Sequence, residues 1–413
     1  MRLIKFLLVF LGVAVLVVGS IFWINRDTFL TVFQNRPAIM EGSEWVEKTY
    51  SLSGLIEFMA EQPQYAAVVS VPATEDDDRR YSNGSESPIT QTIRYRSDRM
   101  YPAGTLSNLL LFITYADLVT SGSLDPNTTV NTEKIFGFYF SGLDRRPERT
   151  FRRWLRDRES PPTVNALIRY LVRHNDPAVA DYLFFFMGEE EVMIRTSQLG
   201  AGRIEPPVPQ FGLRMAALQP ENTRPIADNL TRVSGLARSA FLDEALAIAR
   251  QQWQQVREFP DVRLSSFQDQ RILHGFYPRI QPDHYAGLLE SIWSGTLIDE
   301  QTSELLRDLL QRSPDDRLLE PHITRYAAHF DERMSYMSGW SVAVKTKSEP
   351  FRVQIVLIVN IPAGLWFHMN SNFMVQDFHN RMFYDPAIQE RTFELLMQSE
   401  SAGRAGVSLI PNR

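Results

Sequence analysis

The sequence predicts an α/β (α+β) fold: an antiparallel sheet flanked by helices, an inserted all-helical lobe, and an N-terminal transmembrane helix ahead of both. Three observations predict it. Phe6 to Ile24 is an uncharged run of 19 residues, enough to cross a bilayer's hydrocarbon core at about 1.5 Å per residue. Strand patterns lie near both ends of the remaining chain. Between them, apolar residues recur at helical spacing.

Composition narrows the class. The chain has 413 residues, 44% hydrophobic and 22% charged, which suits a packed globular domain. A formal charge of −6 gives no electrostatic footprint for nucleic acid. The chain contains no Cys, which excludes disulfides, thiolate metal sites and a Cys nucleophile, and fits an extracytoplasmic setting. The seven His are scattered, with no H-E-x-x-H pair and no phosphate-cradling Gly-rich loop. Neither a metal nor a cofactor is expected.

Arg2 and Lys5 precede the apolar run and place the N-terminus in the cytoplasm. No A-x-A cleavage site follows, and Phe22-Trp23-Ile24 reads as an interfacial anchor. An uncleaved anchor over 1–27 is expected, with a cleaved signal peptide as the alternative. Residues 28–45 have little pattern and read as a juxtamembrane connector. A helical turn is expected over Leu55 to Met59 and a strand over Ala66 to Val71. Glu75 to Ser87 has the composition of a hairpin loop. Gln91 to Arg96 alternates apolar and polar residues as a half-buried strand does.

Arg145 to Glu159 mixes Arg with acids, which predicts a solvated surface helix. Thr163 caps a helix that begins T-V-N-A-L-I, and Ala178 to Gly188 forms another, more apolar one. Residues 200–235 are Pro-rich and read as loop. Leu236 to Phe259 carries Phe241, Ala245, Ile248, Ala249 and Val256 near helical spacing. Tyr285 to Trp293 and Ser303 to Leu310 are two further helices. Gly339 to Lys345 and Phe351 to Asn360 form adjacent strands, the second rich in Val and Ile. Pro386 to Gln398 closes the chain as a helix with Pro at its start, followed by a frayed end.

The segment Tyr101 to Val130 reads Y-P-A-G-T-L-S-N, then an apolar run, then Gly122, Leu124-Asp125 and Thr128-Thr129-Val130. It resembles the nucleophile helix of serine β-lactamases and penicillin-binding DD-peptidases. The resemblance covers residues 60 to 400 approximately and implies that family's discontinuous plan. The α/β lobe would come from 46–103 and 335–400, the helical lobe from 104–334, with an extra insertion at 205–278, all within one domain over 46–413.

These enzymes use S-x-x-K, S-D-N and K-T-G motifs for acyl transfer. Each is altered here. Thr105 stands at the nucleophile position, where its β-methyl stiffens χ1 and crowds attack. Asn108 replaces the Lys and is neither base nor cation at neutral pH. Asn175-Asp176-Pro177 replaces S-D-N, so Asn175 stands for the proton-donating Ser and Pro177 offers no side-chain donor. His174 is adjacent and exposed to consideration as a substitute base, although a helix-end His is more often a cap or a surface residue. Lys345-Thr346-Lys347 matches K-T-G at its first two positions, implied to hold a substrate carboxylate. The main-chain N–H groups of Thr105 and Ser348 are the implied oxyanion donors. Glu205 is the acid nearest the expected deacylation element, but its spacing is wrong for a base.

Loss of the Lys, the Ser and the Glu together removes the proton transfers that such catalysis needs. The expectation is a membrane-anchored protein with its domain outside the cytoplasmic membrane of a bacterium, catalytically degenerate. It would bind a cell-wall peptide or an envelope protein, and no nucleic acid. The alternative is an active acyl transferase using Thr105 as nucleophile, with His174 or Lys347 as base. A scaffold whose inserted helix docks a partner is a third reading.

Overall fold

In the computed structural model the described residues are 33, 35–72, 92–140, 142–219, 226–260, 266–310, 323–331, 338–346, 352–372 and 374–407. The apolar run Phe6 to Ile24 and the acidic stretch Glu75 to Ser87 lie outside them. Among the described residues no helix is long and apolar enough to cross a membrane.

The described chain opens with α1 (Arg36–Met40), α2 (Ser43–Lys48) and α3 (Leu52–Glu61). The first two replace the patternless connector expected over 28–45. Pro37 sits in the first turn of α1, where its missing N–H is no loss, and Gly42 at φ 74° turns the chain into α2. Strands β1 (Ala66–Pro72), β2 (Ile93–Tyr95) and β3 (Tyr101–Pro102) follow, then a 3₁₀ turn over Gly104–Ser107. Strand β2 stops one residue earlier than its alternation suggests, because Arg96 adopts φ 50° and breaks the ladder.

The helical lobe comprises α4 (Asn108–Thr120), α5 (Thr132–Phe136), α6 (Arg145–Arg156), α7 (Val164–His174), α8 (Pro177–Phe186) and α9 (Glu189–Gly200). It continues through α10 (Gln210–Leu218), α11 (Ile226–Ser234), α12 (Arg238–Gln254), α13 (Phe267–His274), the short strand β4 (Arg279–Ile280), α14 (Pro282–Ser294) and α15 (Glu300–Leu310). Helix α4 is buried all round from Asn108 to Ala116 and forms the axis of this lobe.

Two expectations fail here. Residues 200–235 are not loop: α10 and α11 occupy much of the span. Their cause is long-range, since Asp181 on α8 accepts the N–H groups of Gln210 and Phe211 at 2.7 Å each and caps α10 from outside. Helix α12 buries Phe241, Ala245 and Ala249 as expected, but it ends at Gln254, and Val256 beyond it is exposed.

Strands β5 (Ile323–Asp331), β6 (Ser338–Thr346) and β7 (Arg352–Ile358) complete the main sheet, followed by α16 (Ala363–Ser371), α17 (Met374–Tyr384) and α18 (Pro386–Val407). The sheet order is β2-β1-β7-β6-β5, antiparallel throughout. The edge strand β5 therefore begins before residue 334, the expected end of the helical lobe. The sheet pairs the start of the domain with its end, Ala66 opposite Ile358 and Pro72 opposite Arg352.

Both faces of the central strands β1 and β7 are covered. Ala67, Val69, Val71, Val353, Ile355 and Leu357 pack into the helical lobe. Ala66, Val68, Val356 and Ile358 pack against residues of α3, α16 and α17. This two-sided burial explains why β1 reads as a continuous apolar run rather than an alternating one.

Candidate functional site

The first two altered motifs fall at helix ends. Thr105 lies in the 3₁₀ turn Gly104–Ser107, and Asn108 is the first residue of α4. The turn is pinned on three sides: Ala103 N–H donates to Pro278 O at 2.7 Å, Ser107 Oγ to Gly104 O at 2.7 Å, and Tyr285 Oη to Leu106 O at 3.1 Å. Asn108 is 4% exposed, and its Nδ2 has no hydrogen-bond partner among the described residues. An amide so placed carries no charge and gives nothing that could take a proton from Thr105.

Asn175-Asp176-Pro177 forms the junction between α7 and α8, and each residue has a capping role. Asn175 ends α7 in the left-handed conformation, φ 49°, ψ 41°, which Asn tolerates better than most side chains. Asp176 is the N-cap of α8, its Oδ1 accepting Ala178 N–H at 3.1 Å and Val179 N–H at 3.2 Å. Pro177 opens α8, where its fixed φ suits the helix. His174 is exposed and packs against Tyr170, the rings tilted by 38° with centroids 4.4 Å apart.

Behind the junction lies a buried polar group that the sequence reading missed. Tyr139 and Tyr170 both donate to Asp176 Oδ2, at 2.8 and 3.4 Å. Burial pushes the Asp176 carboxyl up to about 7, against the opposing pull of Tyr139 and the two backbone N–H groups. Burial and the neighbouring carboxylate raise both phenols well above their ordinary value, so they remain protonated donors. Nearby, Asp144 and Arg214 form an ion pair with side chains 5% and 3% exposed. These partners are far apart in sequence, so no local spacing announces them.

Glu205 is held by two guanidinium groups. It accepts from Arg279 Nη2 at 2.7 Å and Nε at 2.9 Å, and it is paired with Arg238. Burial opposes ionisation, but the two Arg outweigh it and keep the carboxyl below its ordinary value. A carboxylate so clamped is a poor general base.

Lys345 and Thr346 lie at the end of β6, opposite Thr324 and Ile323. The strand packed against the Thr105 turn is β5. The two residues implied to hold a substrate carboxylate thus belong to that strand's inner neighbour, one strand spacing of about 4.8 Å further into the sheet. Strand β5, I-T-R-Y-A-A-H-F-D, lacks a clean alternation and gave the sequence reading no reason to place a strand there. Lys347 and Ser348 lie outside the described residues. No group of three His, Asp or Glu among the described residues could hold a metal ion.

No family model matches the chain, and no curated protein does. Among solved structures it is similar to a β-lactamase from Sphaerobacter thermophilus, at 13% identity over 82% of this chain and 99% of that one, TM-score 0.46. It is also similar to a β-lactamase from Chitinophaga pinensis, at 11% identity over 79% and 98%, TM-score 0.46. A class A β-lactamase from Bacteroides cellulosilyticus aligns at 12% identity over 84% and 98%, TM-score 0.43. By its own architecture the chain has an α/β fold, with an antiparallel sheet joined from both ends of the domain around a helical lobe.

Proposed function

We propose that this protein is a membrane-anchored, extracytoplasmic relative of β-lactamases and DD-peptidases that binds a cell-wall peptide or an envelope protein without hydrolysing it. The observation that carries this reading is the junction at Asn175-Asp176-Pro177. There the residues standing for an acyl-transfer motif serve as a helix stop, a helix cap and a helix start. Asn108, neutral and buried at the Lys position, supports it from the other side of the site. The ligand version rests on Lys345 and Thr346. Loss of cell-wall peptide binding is expected in Lys345→Ala, and unchanged affinity sinks the ligand version.

The test is the intact mass of the protein after incubation with a reactive penicillin, beside Thr105→Ala. No adduct on either protein is the expected outcome. An adduct that disappears in Thr105→Ala sinks the degenerate reading and establishes Thr105 as a nucleophile with a base still to be located.

A further inference from the structure

Helix α6 carries a stripe of arginine. Arg149, Arg152, Arg153 and Arg156 stand at i, i+3, i+4 and i+7, so they share one face. All four are exposed, while Phe151 on the opposite face is buried. Together with Phe136 and Leu155 they line a groove of about 620 Å³, a size that suits a small molecule. Phe136 and Leu155 are its apolar lining, and the Arg152 guanidinium lies 4.1 Å from the Phe136 ring centroid.

The charges in this groove are poorly compensated. Arg152 is satisfied by Glu148, at 2.9 Å from Nε and 2.7 Å from Nη2. Arg156 approaches Asp157 at 3.6 Å. Arg149 and Arg153 make no ion pair or side-chain hydrogen bond among the described residues. Like charges three and four residues apart on a helix repel. An ordinary solvated helix would interleave acids, yet α6 holds six Arg and a single Glu.

An adjoining cleft shares Phe136 and Arg152 but sets three carboxylates, Glu133, Glu148 and Glu258, against Arg152 and Arg257. That side disfavours an anion, so the groove confines negative charge to the arginine stripe. We propose that it binds a small ligand with at least two anionic groups, phosphate or carboxylate, joined to an apolar part that rests on Phe136 and Leu155. Guanidinium forks pair with either oxyanion in bidentate fashion.

Calorimetric titration of the full-length protein with inorganic pyrophosphate and, separately, citrate tests this at low and high salt. Arg149→Ala and Arg153→Ala are each expected to weaken binding by about tenfold, as loss of a charged hydrogen bond does. Arg203→Ala removes one exposed charge outside the groove and is expected to change nothing. Unaltered melting temperatures show that the variants fold. The probe that binds distinguishes phosphate from carboxylate. The proposal is overturned if neither probe binds, if all three variants weaken binding equally, or if a parallel titration with phosphatidylglycerol vesicles is the one that gives binding.

Discussion

The Tyr139 phenol donates a 2.8 Å hydrogen bond to Asp176 Oδ2, tying the segment after α5 to the junction of α7 and α8. The raised carboxyl gives this contact a pH dependence. The Asp176 carboxyl titrates near 3.8 when unperturbed and at about 7 in the fold. Between those values the folded protein keeps a proton that the unfolded chain has lost, so this group's contribution to stability falls as pH rises from about 4 to about 7. Asp181, also pushed up to about 7 by burial, adds a slope of the same sign. Buried His274, pushed down to about 3, contributes the opposite slope between about 3 and 6.5. The test is therefore a difference: Asp176→Asn should flatten part of the fall between pH 5 and pH 7.5 in urea unfolding. An unchanged profile would mean that Asp176 is ionised across that range.

The Asp144–Arg214 pair makes a second prediction. Arg214 Nη1 reaches Asp144 Oδ1 at 2.6 Å and Oδ2 at 2.8 Å, while Phe140 N–H also donates to Oδ2. Arg214→Met leaves a buried carboxylate without its cation and should cost about 3–5 kcal/mol. Adding Asp144→Asn should recover part of that loss in a double-mutant cycle by denaturant unfolding. A single-variant cost below about 1 kcal/mol would show that water reaches the pair.

Gly212 marks a close approach between α10 and α12. A Cβ there would lie 2.0 Å from the Ala245 carbonyl oxygen, a backbone atom that cannot swing away. Gly212→Ala is expected to destabilise by about 1–3 kcal/mol despite its better helix propensity. Thermal unfolding measures it, and a stabilised variant would mean that the two helices are further apart.

Asn108 can be tested without any ligand. Its Nδ2 is buried with no partner among the described residues, so Asn108→Leu, of similar size, should raise stability by about 1 kcal/mol. A loss in chemical denaturation instead would reveal a partner for the amide.

Local signals in the sequence were followed closely. Thr163 accepts Ala166 N–H at 3.3 Å and starts α7 as its residue type suggests. Strands β6 and β7 pair as neighbours, as expected for the two segments, the second rich in Val and Ile. What escaped the sequence depends on distant partners. Helix α10 needs Asp181 to cap it, α1 and α2 are short helices without an apolar stripe long enough to read, and β5 is an edge strand of mixed pattern. The site divides in the same way. Thr105, Asn108 and Asn175 are named from a motif frame in the sequence. Tyr139, Arg214 and the strand beside Thr105 are not, because only folding brings them into place.

The pairing of β1 with β7 fixes a timetable for the chain. Ala66 cannot find Ile358 until nearly the whole domain has been synthesised, since the helical lobe lies between them in the chain. Contacts that close such long loops form slowly. Until β7 arrives, β1 has β2 on one side and an open backbone edge on the other. That edge is the part of the nascent protein most exposed to pairing with a wrong strand, and the part of the domain made first is among the last to be completed.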